Sequence, residues 1–141
     1  MSEPLDLLLK MDKTKLVRPI RQVEIKRLSE ASGEPFVVTC QALCPDEFQE
    51  IQDMISVDTN EGTVKAQKNI QAEYVIKGVI NPDFKNQQII EYYGATNAAE
   101  AVTNIFLPGE ITGLFNIINK LSGFGNDAVT EIKNVSVQTE N

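Results

Sequence analysis

Gly94–Phe124, GATNAAEAVTNIFLPGEITGLFNIINKLSGF, decides the fold. It predicts two helices end to end. In the first, Ala98, Ala101, Val102, Ile105 and Phe106 fall at i, i+3, i+4, i+7 and i+8, one apolar stripe. Asn97 can cap it, because a short side-chain oxygen reaches the free N–H groups of the first turn, and Glu100 can return a bond to the cap's own N–H. Pro108 suits a first helical position, where no backbone bond is lost. Glu110 faces the positive end of the helix dipole. Ile111, Leu114, Phe115, Ile118 and Leu121 form the second stripe. Gly123 suits a left-handed C-terminal position, from which Phe124 folds back on Ile118.

Working outward, Lys85–Tyr93 predicts a short helix closed by Gly94, after a break at Asn81-Pro82-Asp83. From about Ala66 the spacing of Ala72, Val75, Ile76, Val79 and Ile80 predicts another helix, locally weakened by Gly78. Residues 56–64, SVDTNEGTV, read as a polar loop. Pro45, Asp46 and Glu47 open a helix that turns Phe48, Ile51 and Ile55 to one side. Upstream, Val23 and Ile25 alternate with polar neighbours and Phe36–Leu43 is rich in β-branched residues. With Ser29–Pro35 between them, they read as a hairpin or two adjacent strands with a long connection. The expected fold is α+β and mostly α: a β-hairpin at about residues 20–43, then four or five helices. We expect an arm over 1–19, one globular domain over 20–125, and a polar tail over 126–141.

The 141 residues suffice for one domain with a real core, and 42% hydrophobic with 23% charged residues is ordinary for a globular chain. No apolar run has the length of a membrane span, and Leu5–Leu9 contains Asp6 and lacks a basic flank before it, so neither an anchor nor a signal peptide is expected. The formal net charge of −7 argues against nucleic acid as the main ligand. It is unevenly spread. Residues 1–27 hold seven of the 13 Lys and Arg against four acids, whereas 28–141 hold six against 16, so the arm is about +3 and the body −10. Opposite patches on one chain favour self-association or a partner with its own charge pattern.

Catalytic chemistry is not offered. There is no histidine, which removes most nucleophile–base schemes and the commonest metal ligand. Cys40 and Cys44 read as reduced thiols, Cys40 as a small buried residue. Asp58-x-Asn60-x-Gly62 has its glycine one position early for a calcium loop and reads as a turn. Gly123-x-Gly125-x-x-Ala128 follows a helix, with no strand before it as a dinucleotide fingerprint requires. No enzyme, cofactor or metal is expected.

The C-terminal half, from Gly78 to Phe124, resembles the XkdN-like tail assembly chaperones of phages and of defective, phage-derived contractile tails. The resemblance is carried by Asn81-Pro82-Asp83 after an aliphatic helix, Tyr93-Gly94-Ala95, Leu107-Pro108-Gly109-Glu110-Ile111 and Leu121-Ser122-Gly123-Phe124. Residues 23–28 and Gly33-Glu34-Pro35 agree more loosely, so coverage is about 20–125. Cys44 departs from the Ser or Thr expected to cap the helix before Pro45. The resemblance implies a non-catalytic factor of the bacterial host cytoplasm that coats the tape measure protein until tube subunits polymerise around it, and that is absent from the finished particle.

An apolar groove within an acidic body would suit such a client. The tail tube protein and further copies of this chain are additional candidate partners. Leu107, Phe115, Ile118 and Phe124 read as core first and partner surface second. Pro108 sets the bend between helices, and Glu110 is a helix-end charge before it is a contact. Leu5, Leu7, Leu8 and Leu9 have no evident place in the core. The candidate partner-binding residues are therefore Leu5, Leu8, Leu9, Leu107, Pro108, Glu110 and Phe124. Two rival readings are a structural tail component retained in the particle and a small regulator that holds DNA through its basic arm.

Overall fold

The computed structural model describes residues 3–58, 63–66, 69–125 and 127–132, with side chains left undescribed at 56–58 and 63–66. Its first element is a short helix, α1 (Pro4–Lys10), followed by a single 3-10 turn at Lys13–Lys15 and the strand β1 (Ile20–Glu24). A helix, α2 (Lys26–Ser32), and the strand β2 (Val37–Gln41) come next, then α3 (Pro45–Asp53). Two further strands, β3 (Ile55–Asp58) and β4 (Thr63–Ala66), precede α4 (Ile70–Gly78), β5 (Val79–Asn81), α5 (Gln87–Tyr92), α6 (Ala98–Ile105) and α7 (Pro108–Leu121). The architecture is α+β and mostly helical, as the sequence patterns predict.

β1, β2 and β5 form one antiparallel sheet in the order β1-β2-β5. β1 and β2 pair from Ile20↔Gln41 to Glu24↔Val37, in the region expected to hold a hairpin. Their connection is not a plain loop, however. Ile25 N–H bonds Phe36 O at 3.0 Å, and α2 fills the space between. Gly33, read above as a breaker, ends α2 with φ 79°, a conformation that glycine adopts without strain, and its N–H bonds Ser29 O at 2.9 Å.

Three further readings are corrected. The described part of the stretch read as a loop, residues 56–58 and 63–64, is strand: β3 and β4 pair antiparallel from Ile55↔Ala66 to Asp58↔Thr63. A polar run still makes a ladder when two extended segments face each other, because backbone groups carry the pairing. The turn read at Asp58-x-Asn60-x-Gly62 falls largely outside the described residues. Ile55 belongs to β3, so α3 buries only Ile51 fully. The helix expected to run through Val79 and Ile80 stops at Gly78, and both residues enter the sheet as β5. Aliphatic residues in adjacent pairs fit either period, and tertiary pairing decided between them.

The core lies where β2, α4, α6 and α7 meet. Val38 and Cys40 point inward from β2, both fully buried. α4 is buried almost all round, with Ala72, Tyr74, Val75, Ile76 and Gly78 inside. Gly78 does more than weaken a helix. A Cβ there would lie 2.6 Å from Ile118 Cδ1, so the missing side chain lets α4 and α7 approach. Ile111, Leu114 and Ile118 of α7 are buried as their stripe requires, while Phe115 is half-buried, edge-on to Tyr74 at 4.6 Å.

The caps explain the boundaries. Asn69, Asn86 and Asn97 each accept a backbone N–H in the first turn of the helix that follows, those of Ala72, Gln88 and Glu100. Asn97 caps α6 as expected, but Glu100 bonds the Thr96 hydroxyl at 3.0 Å instead of returning to the cap. Despite the thiol at Cys44, α3 starts at Pro45, and the other half of the capping box is made: Glu47 accepts the cap's own N–H at 3.0 Å. At Pro108 the chain turns by 118° between α6 and α7. Among the described residues no single helix is long and apolar enough to cross a membrane.

Candidate partner-binding surfaces

Exposed apolar side chains of the described residues include those of three surfaces. The first is the arm. α1 has no buried residue, and Leu5, Leu8 and Leu9, at i, i+3 and i+4, are 65%, 65% and 77% exposed. Its root, at Arg18 and Pro19, is bonded to the body. Arg18 makes an ion pair with Glu47 at 2.7 Å and bonds Ala42 O at 3.2 Å, while Ala42 N–H bonds Pro19 O at 3.0 Å. The arm thus leaves the body at the Ile20↔Gln41 end of the sheet and carries its leucines outward.

The second surface is α7, where the remaining sequence candidates lie. Leu107, Pro108 and Glu110 form its N-terminal corner, with Leu107 and Pro108 exposed. Glu110 accepts Leu107 N–H at 2.8 Å and pairs with Arg27, which also bonds Ile105 O at 2.8 Å. One guanidinium therefore joins the last turn of α6 to the first turn of α7. The bonds from Arg27 hold the Glu110 carboxyl below its ordinary range against the opposing effect of burial, and Leu107 N–H adds to the lowering.

Phe124 sits beyond the other end of this 14-residue helix, roughly 21 Å away at 1.5 Å per residue. The candidates on α7 therefore do not make one site. The chain does fold back at this end, where Phe124 N–H bonds Asn119 O at 3.2 Å. Gly123 takes the left-handed conformation expected of it, with φ 95°, but the Phe124 ring stands 5.1 Å from that of Phe48 on α3 and remains 53% exposed. Of the residues read as core first, Ile118 is fully buried and Phe115 is half-buried, whereas Leu107 and Phe124 lie at the surface.

The third surface is absent from the sequence candidates. α2, the start of β2, the β5–α5 connection, α5 and α6 enclose an open cleft of about 410 Å³. Leu28, Phe36, Ile89, Tyr93 and Ile105 are among its walls, and Phe84 lies on the floor, edge-on to Phe106 at 5.5 Å. Tyr92, 83% exposed, stands edge-on to Tyr93 at 5.1 Å. The lining comes from residues 28 to 105, too dispersed for a spacing pattern. Tyr93-Gly94-Ala95 was the nearest signal.

Cys40 is fully buried, and that burial pushes its thiol up to about 11, out of reach of thiolate chemistry at neutral pH. No group of three or more metal-ligating side chains occurs among the described residues. What these surfaces offer is apolar contact within a charged body.

The chain belongs to the family of phage XkdN-like tail assembly chaperone proteins, whose model matches residues 5–135. Its role is in phage tail assembly, and the family is described by that role and not by a reaction. The fold is also similar to the crystal structure of the protein YqbN, with a TM-score of 0.66 at 16% identity, covering 89% of this chain and 100% of that one. At that identity the likeness speaks for the fold alone. No curated protein matches the chain.

Proposed function

We propose that this chain binds the tape measure protein in the host cytoplasm, keeps it soluble until tube subunits polymerise, and leaves before the particle is complete. The observation that carries the reading is the apolar cleft between α2, α5 and α6, in a member of a tail assembly chaperone family. A tape measure chain is long, helical and apolar, and without its tube it would aggregate. A groove lined by Leu28, Phe36, Ile89 and Ile105 suits one apolar helix face. Single contacts of this size are weak, and many copies along one client supply avidity. The excess of acids over bases in residues 28–141 keeps the coated chain dispersed.

Co-expression with the tape measure protein tests this. The client is expected to remain soluble and to co-purify with the chain, and purified particles to lack the chain by mass spectrometry. A client equally soluble without it would overturn the chaperone reading, and stoichiometric retention in particles would replace it with a structural role.

A further inference from the structure

We infer that α2 is a hinged wall of the cleft, latched by Arg27, that opens as a unit while the sheet and the core helices α4 and α7 stay folded. The opening stands on the geometry of the free chain. Only its use for a client rests on the reading of the cleft as a client site.

Burial sets α2 apart from what flanks it. None of its seven residues is buried, and it has no extended packing against any other helix or strand. Ile25, immediately before it, is buried, and its N–H bonds Phe36 O at 3.0 Å, so the segment is anchored at both feet. Between those feet, Gly33 takes φ 79° with nothing within 4 Å of where a side chain would stand. The backbone can turn there without displacing a neighbour.

α2 also has space on two sides. Lys26 and Arg27 wall an opening of about 320 Å³ against Gly113, Leu114 and Ile117 of α7. Leu28, Ala31 and Ser32 wall the apolar cleft of about 410 Å³.

What holds the wall shut is mostly polar. Arg27 bonds the Glu110 carboxylate twice and Ile105 O once. The Ser29 hydroxyl accepts Phe36 N–H and donates to Glu24, each at 2.7 Å. Apolar hold comes from Leu28, which is half-buried. Most of the bonded groups are exposed, so water replaces their partners when α2 lifts. A segment with few buried apolar contacts and exposed fastenings opens more cheaply than the core around it.

Lifting α2 draws Leu28, Ala31 and Ser32 away from Ile89 and Ile105 and widens the cleft. A long helical client presents faces of differing bulk, which one rigid groove cannot all fit. A wall that shifts lets one cleft accept each of them, as re-packing surfaces do in promiscuous binders.

Amide exchange followed by NMR on the full chain alone tests the opening, so its failure is distinct from failure of the co-expression experiment. A detached seven-residue helix does not keep its own bonds, so the N–H groups of Ser29, Gly33 and Phe36 are expected to lose protection together. Their protection is expected to be at least about tenfold below that of α4 and α7, while Ile25 N–H, outside the hinge, keeps that of the sheet. Arg27→Gln is expected to speed exchange at all three by about fivefold or more, because the latch is lost from the closed form alone. Ile118→Val, in the core, is expected to speed exchange in α4 and α7 and to leave the three unchanged. Equal acceleration of α2 and the core by Ile118→Val would overturn the inference, since α2 would then open only with the whole protein. So would an Arg27→Gln chain whose α2 exchanges at the parent rate.

Discussion

Arg27 and Glu110, 83 residues apart in sequence, are joined by two parallel bonds, Nε to Oε2 at 3.0 Å and an Nη2 to Oε1 at 2.8 Å. The pair is bidentate, the geometry that distinguishes arginine from lysine. Because Arg27 also reaches Ile105 O and Glu110 accepts Leu107 N–H, the pair fixes the corner between α6 and α7. It also ties α2 to α6, two walls of the apolar cleft.

This geometry sets a pH dependence. The Glu110 carboxyl is held below 4.5, its ordinary value, first by the bonds from Arg27. Glu47 is also lowered: burial alone would raise it, but Cys44 N–H and Arg18 together outweigh that effect. A carboxylate lowered by folding gives its full contribution above the unfolded value, and that contribution is lost as pH falls through the folded one. Melting temperature is therefore expected to hold near neutrality and to drop below the ordinary carboxylate range. Glu110→Gln should lower it by a few degrees at neutral pH and make the acid loss shallower, the two curves converging in acid. Parallel curves, offset by a constant amount, would refute the assignment.

A second prediction concerns Gly78. An alanine Cβ would lie 2.6, 2.7 and 2.8 Å from Ile118 Cδ1, Cγ2 and Cγ1. Gly78→Ala should improve helix propensity yet destabilise the protein by about 1–3 kcal/mol, because overpacking a tight crossing outweighs the entropic gain. Chemical denaturation of Gly78→Ala with and without Ile118→Val measures the coupling. The cost is expected to shrink in the Ile118→Val background, and strict additivity would mean that the two side chains do not meet.

The last third of the chain was legible because several local signals agree there: apolar stripes, Asn97 before α6, Pro108 opening α7 and Gly123 after it. Elsewhere local signals were ambiguous and tertiary contacts decided. Val79 and Ile80 fit a helix as well as a strand until β2 is placed beside them. α2 spans only seven residues, and Gly33 can end a helix as readily as open a loop. The exposed leucines of the arm could be read directly, since no stripe elsewhere was available to cover them. The cleft could not be read, because Leu28, Phe36, Ile89 and Ile105 are neighbours only after folding.

The two cysteines separate by burial. Cys40 is fully buried with its thiol raised to about 11, whereas Cys44 is half-buried at the start of α3. The native protein treated with iodoacetamide near neutral pH is expected to take one label, on Cys44, with Cys40 reacting only after unfolding. Peptide mass spectrometry reads this directly, and early labelling of Cys40 would show that the β2 face opens readily.

Phe124 and Ile118 distinguish a contact surface from a core. Ile118 is fully buried between α4 and α7, so Ile118→Ala should cost about 2–5 kcal/mol in transfer and cavity terms. Phe124 is 53% exposed and stacked on Phe48, so Phe124→Ala should cost less than about 1.5 kcal/mol, the worth of one exposed aromatic pair. If the ring at the end of α7 contacts a client, Phe124→Ala will reduce client co-purification while the melting curve moves little. A large loss of stability would instead make Phe124 a structural closure of the α3–α7 junction. Unchanged stability with unchanged client yield would confine binding to the cleft and the arm.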